Sequence, residues 1–300
     1  MKKLKNFLQF KIKKKLGKRW YKRDILECPF CPRVEGERDM QIISSKDNEI
    51  IKNIRKLKEK KYRDIEGNYL IEGIKLVKEA ITENADIKQI VICEECLNSG
   101  ELDKDTLYEI AKYNIIYVTK KVFDILTDVK TPQGIIAVIG KKNVSELVDY
   151  AQDIIIALDD IQDPGNLGTI LRTVDSANLN QIILSKGSAD PYNPKVVRST
   201  MGAIFRVNII EADNLKEKLL EAQENDFKIM VTSLNTKNSI YDVDFNKKVI
   251  VIGNEANGVS EQIQEIADEK VKIPMLGKTE SLNASVAAGI MIYEYVRRKV

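Results

Sequence analysis

The chain has 300 residues, 43% apolar and 31% charged, a balance that fits folded domains and excludes a disordered polymer. Its apolar runs fall far short of the ~18 residues a membrane span needs, and the N-terminus lacks a signal-peptide core, so a cytoplasmic protein is expected. The net charge is +3 and histidine is absent, which removes an imidazole base, a His metal ligand and any Ser-His triad.

Residues 1–39 hold 13 Lys and Arg against 5 Asp and Glu, so this leader is +8 while the rest of the chain is −5. It shows no helical or strand period. Glu35-Gly36-Glu37 would be encoded by a purine-rich run that can act as a ribosome-binding site ahead of Met40. Translation from Met40 is one expectation, and a basic RNA-binding arm is the other. Two Cys-x-x-Cys pairs, Cys28/Cys31 and Cys93/Cys96, could on paper share a zinc ion. The long separation and the strand-like setting of Cys93 speak against it, so no metal is expected.

A first domain is expected over 44–140. Ser44 to Asp47 reads as a helix start, followed by Ile50, Ile51, Ile54 and Leu57 at helical spacing. Lys52, Arg55, Lys56 and Arg63 surround that apolar face and are candidate RNA contacts. Glu72-Gly73 opens a second helix. Then come a strand at 87–93, a helix at 102–113, a strand at 115–118, a helix at 120–127, the Thr131-Pro-Gln-Gly134 turn and a strand at 135–139. This is a small α/β sandwich, and residues 141–151 form a linker.

The second domain, 152–300, alternates regularly. Strands are expected at 154–158, 181–184, 205–209, 228–232, 249–252 and 271–273, with helices at 167–177, 194–201, 214–225, 259–267 and 283–299. Such alternation predicts a mostly parallel sheet. Three strand-to-loop-to-helix transitions carry Gly or Asn at the turn: after 154–158, after 249–252 and after 271–273. Open α/β sheets build their sites at such places. Neither a P-loop nor a Gly-x-Gly-x-x-Gly fingerprint occurs.

Asn166 with Arg172, the Gly253-Asn-Glu255…Gly258 loop, and Ile273-Pro-Met followed by Ser281-Leu-Asn283 occur in this order. Together they resemble the SpoU/TrmH family of RNA ribose methyltransferases, members of the SPOUT superfamily. The resemblance implies a deep C-terminal trefoil knot, and an N-terminal substrate-binding domain similar to a ribosomal-protein fold. It implies S-adenosylmethionine as cofactor, bound around Leu234, Gly253, Ile273, Met275 and Leu282. It further implies a catalytic set of Arg172, Asn166, Glu255, Ser281 and Asn283, a ribose 2′-hydroxyl of rRNA or tRNA as acceptor, with 23S rRNA favoured, and a homodimer. Two alternatives stand beside it. One is a non-catalytic RNA-binding or ribosome-assembly protein on the same scaffold. The other is a metal-dependent phosphotransferase using Asp159, Asp160 and Asp163.

Overall fold

The computed structural model describes residues 42–97, 104–142 and 147–300. The leader, its Cys28/Cys31 pair, the Met40 start and the middle of the expected linker lie outside the described residues. Cys93 is a free, buried cysteine, and no group of three or more His, Cys, Asp or Glu suited to a metal ion occurs among the described residues.

The first half consists of β1 (Ile42–Ile43), α1 (Glu49–Lys56), α2 (Lys60–Glu66), β2 (Asn68–Glu72), α3 (Ile74–Thr82), β3 (Ile87–Cys93), α4 (Glu94–Leu97), α5 (Lys104–Ile110), β4 (Ile115–Val118), α6 (Lys120–Leu126) and β5 (Ile135–Gly140). Its mixed sheet runs β1-β4-β3-β5-β2, with β5 antiparallel to both of its neighbours. The first helix starts later than expected, capped by Asn48, whose side chain accepts from Ile50 N at 2.9 Å. The sequence reading also missed β2. Tyr69, Leu70 and Ile71 form a short, wholly buried run in an edge strand, with no alternation to mark it.

The second half consists of β6 (Ile154–Asp159), α7 (Pro164–Ser176), β7 (Gln181–Ser185), α8 (Pro194–Thr200), a 3₁₀ turn at Ala203–Phe205, β8 (Asn208–Ala212), α9 (Leu215–Glu224), β9 (Lys228–Thr232), β10 (Lys248–Gly253), α10 (Glu261–Gln264), β11 (Glu269–Val271) and α11 (Ala284–Lys299). The sheet order is β11-β9-β10-β6-β7-β8, and every pairing is parallel. β6 and β10 are buried along their whole length, which is why they read as unbroken apolar runs. Residues of α7, α8 and α11 cover one face of the sheet, and those of α9 and α10 the other. The strand expected at 205–209 begins later, because the 3₁₀ turn occupies its first residues. The helix expected at 259–267 is only the short α10.

One buried apolar cluster joins the halves. It runs from Ile71, Val77, Ile90 and Ala137 of the first to Leu171, Val196 and Phe205 of the second. No helix among the described residues is long and apolar enough to cross a membrane.

Candidate active site

Because all six strands of the second sheet point the same way, their carboxyl ends open on one edge. The loop after β6 begins at Asp160, held at φ 57°. Its backbone N–H is bonded to Ser185 Oγ (2.8 Å), and Ser185 Oγ donates to its carboxylate. Asp163 then caps α7, accepting from Asn166 N at 2.9 Å. That bond, with Lys195 3.7 Å away, holds the Asp163 carboxyl below the usual carboxylate range. Pro164 starts the helix where a missing N–H costs nothing.

The cap places Asn166, which is buried, at the centre of a side-chain chain. Asn166 Nδ2 donates to Glu255 Oε1 at 2.7 Å, and Asn166 Oδ1 accepts from Asn283 Nδ2 at 2.9 Å. Asn283 is itself the N-cap of α11, with its Oδ1 accepting from Ser285 N (2.9 Å) and Val286 N (3.3 Å). Three loops far apart in sequence therefore meet through one amide. Ser281 lies two residues ahead of that cap and is exposed.

The Glu255 loop is built on Gly253 and Asn254. A Cβ on Gly253 would lie 2.1 Å from Gly258 C and Val259 N, both backbone atoms that cannot move aside cheaply, so only glycine lets the loop fold back. Asn254 closes it with paired backbone bonds to Gly258 (3.0 and 2.9 Å), and its side chain accepts from Ala256 N and Asn257 N. Its Nδ2 also donates to Asp160 O at 2.8 Å, tying the second loop to the first. The sequence reading passed over Asn254, although an Asn directly after the turn glycine was the available signal.

The expected cofactor residues follow the ends of three neighbouring strands, β11, β9 and β10. Leu234 follows β9, Gly253 ends β10, and Ile273 and Met275 follow β11, with Leu282 just before α11. The β9 and β11 loops are joined by Ser233 N donating to Val271 O at 2.9 Å. Leu234 and Leu276 stand exposed there, while Ile273 packs partly into the core. Exposed apolar side chains at these strand ends suit the apolar faces of the adenine of S-adenosylmethionine.

Two expected positions fall elsewhere. Arg172 is exposed on α7, six residues beyond Asn166, which by helical geometry is about 9 Å along the axis and turned to another face. Within one chain it does not join the Asn166 chain of bonds. Arg63 is a correction: it is not a surface RNA contact but is buried at 2% exposure. Its Nε donates to Asp190 Oδ2 at 3.1 Å and its Nη1 to the carbonyls of Leu57 (2.9 Å) and Lys58 (2.7 Å). Lys52, Arg55 and Lys56 are exposed on α1 as expected.

The three aspartates of the phosphotransferase alternative are engaged locally. Asp159 accepts from Ser260 N at 2.7 Å, Asp160 from Ser185, and Asp163 from Asn166. They shape loops.

Comparison with known proteins places the chain in a family. Residues 153–293 match the SpoU rRNA Methylase family, and residues 48–137 match the MRM3-like substrate binding domain. The chain is 31% identical to the 23S rRNA (guanosine(2553)-2′-O)-methyltransferase RlmP of Bacillus subtilis, over 85% of this chain and 98% of that one. It is 31% identical to the 23S rRNA (guanosine-2′-O-)-methyltransferase RlmB of Xylella fastidiosa, over 77% and 97%. Its fold superposes on the AdoMet-bound rRNA methyltransferase of Sinorhizobium meliloti with a TM-score of 0.76 at 29% identity, covering 87% and 98% of the chains. With its parallel sheet, its Asn166-centred loops and these full-length relatives, the chain belongs to the SpoU rRNA methylase family and is an S-adenosylmethionine-dependent RNA 2′-O-ribose methyltransferase.

Proposed function

We propose that this enzyme methylates a ribose 2′-hydroxyl of 23S rRNA, with residues 44–140 gripping the RNA and 152–300 performing the transfer. The observation that carries the site assignment is the Glu255–Asn166–Asn283 chain, which fixes three loops at the sheet's carboxyl edge. When bound, S-adenosylmethionine supplies an electrophilic methyl group on a sulfonium. Backbone at Gly253, Ile273 and Leu282 would hold it, with Leu234 and Met275 close by.

A ribose hydroxyl is a weak nucleophile, so its alignment and the fate of its proton decide the rate. Asn166 locks Glu255 through one carboxylate oxygen, and so holds the 253–258 loop against α7 and the start of α11. Ser281 adds a polar group at the same edge. Arg172 anchors the target phosphate, and the phosphate or solvent takes the hydroxyl proton.

The protein acts as a homodimer in this reading. Val286 and Tyr293 are exposed on α11, and Tyr293 meets Ser176 of α7 at 3.2 Å, so the free faces of the two helices form one surface that includes Arg172. Light scattering at micromolar concentration should give twice the chain mass, and a single-chain mass would refute the pairing. The expected knot is supported by the way segment 233–247 clasps the C-terminus. Ile240 N bonds Lys272 O, Lys272 N bonds Asn238 O, and Arg298 donates to the carbonyls of Ile240, Tyr241 and Val243.

The decisive experiment maps 2′-O-methyl groups in RNA from cells with and without the gene. One 23S rRNA position should lose its methyl group. Loss confined to tRNA would move the target, and no change in any RNA would overturn the proposal.

A further inference from the structure

A cleft of about 220 Å³ lies where the two halves meet, walled by the start of α3 on one side and the end of α8 on the other. It is smaller than the ~300 Å³ of an ordinary small-molecule pocket. Lys75 stands on the first wall, Arg198 and Met201 on the second. Arg198 also lines the adjoining seam, with Leu70, Leu126 and Ile136 of the first half. A long arginine stem can cover apolar surface in this way while its guanidinium reaches outward.

The cleft is lined by two carboxylates and two cations, which differ in how they are hydrogen-bonded. Its two carboxylates have hydrogen-bond partners: Glu79 bonds the Arg206 guanidinium at 2.9 Å, and Glu72 accepts from two uncharged donors, Thr127 Oγ1 and Asp128 N. Its two cations have none, since neither Lys75 nor Arg198 makes a side-chain hydrogen bond or ion pair among the described residues. The α3 N-terminus is not the attractor, because Ile74 N is already bonded to Gln133 Oε1 at 3.0 Å. A guanidinium with no ion-pair partner can take an anion, and its planar donors match a phosphate.

The cleft is also joined to the active site. Helix α8 begins beside the catalytic loop, where Lys195 lies 3.7 Å from Asp163, and Arg198 follows one turn later. A polymer leaving the Asn166 site along α8 would pass Lys195 and enter the cleft.

We infer that this cleft seats one nucleotide of the RNA substrate beside the methylated one, its phosphate held between Arg198 and Lys75 and its base or ribose against Met201. The inference rests on the reading of 23S rRNA as substrate and adds residues that no motif named.

The test measures binding of purified 23S rRNA apart from methylation, so that a failure of the methylation reading leaves it intact. Arg198→Gln and Lys75→Ala should each weaken RNA binding about tenfold, as loss of one charge-assisted hydrogen bond implies. Each should lower the salt slope by about one ion. S-adenosylmethionine affinity should stay unchanged, and Arg198→Lys should recover part of the loss. Lys75→Ala, on the exposed wall, keeps the test open if the arginine variants fold poorly. Wild-type RNA affinity and salt slope in Lys75→Ala and Arg198→Gln would overturn the inference. So would a loss confined to Lys52→Ala and Lys56→Ala on α1, which would place the RNA elsewhere.

Discussion

Asn166 occupies its position because an amide both gives and accepts hydrogen bonds. Its nitrogen serves Glu255 and its oxygen serves Asn283, so a carboxylate there would lose the donor and set two negative groups together. Arg172 differs in kind, being exposed and outside that chain of bonds. Arg172→Ala should therefore leave S-adenosylmethionine affinity within a few-fold while RNA methylation falls at least about a hundredfold, near 2.7 kcal/mol of transition-state stabilisation. Asn283→Ala should weaken both, because it uncaps α11 beside Leu282, where the cofactor is proposed to bind. An Arg172→Ala enzyme working at the wild-type rate would make that arginine an ordinary surface residue. The Asn166, Glu255 and Asn283 set was legible in sequence because each sits at a turn whose order could be matched. Arg63 was misread for a physical reason. A count of basic residues on one helix cannot see Asp190, 127 positions away, which turns the side chain inward.

The strands were the most legible elements, since central parallel strands are buried on both faces and need continuous apolar runs. The pinning of α11 was not legible, because it depends on a loop crossing near its end. Glu294, buried at 5%, accepts from Arg297 at 2.8 and 2.9 Å and from Arg298 Nε at 2.8 Å. Arg298 in turn satisfies three carbonyls of the 233–247 segment. The bonds from Arg297, then those from Arg298, lower the Glu294 carboxyl from 4.5 to about 2. A depressed folded-state value means that this stabilisation is fully present above the unfolded value and is lost as pH falls through the folded one. Urea unfolding from pH 5 to pH 2 should show stability falling between about 4.5 and 2. Glu294→Gln should remove part of that slope while changing the neutral-pH midpoint less than an Arg298→Ala variant does. An unchanged slope in Glu294→Gln would exclude the carboxylate as a source.

At the scale of the molecule, the two halves are fastened by charge as well as by the shared apolar cluster. Arg206 bonds Asp175 in its own half and Glu79 and Glu83 across the boundary (2.9 and 3.1 Å). Tyr69 and Tyr192 pack with their rings tilted by 45° and centroids 4.8 Å apart, and burial pushes the Tyr192 hydroxyl up to about 12. Lys142 donates to Phe205 O. The least exposed of these charged contacts joins Arg63 to Asp190, which also accepts from Tyr192 N at 2.9 Å. Asp190 heads the turn leading into α8, and Ala189 N bonds Ile161 O of the catalytic loop at 2.8 Å. The pair thus ties the first half to the loop that leads into α7, ahead of Asn166.

Removing one partner of a buried pair leaves an uncompensated charge, a loss of about 3 kcal/mol or more, whereas neutralising both costs much less. Arg63→Met should therefore lower unfolding stability sharply. Arg63→Met with Asp190→Asn, which keeps an acceptor for Tyr192 N, should be more stable than the single arginine variant. A double-mutant cycle in urea is expected to show coupling well above about 0.5 kcal/mol. The salt slope of RNA binding should stay at the wild-type value in Arg63→Met, because the arginine never reached a phosphate. Additive losses in the cycle would show that the pair contributes nothing as a pair. A reduced salt slope would return Arg63 to the RNA surface where its sequence had placed it.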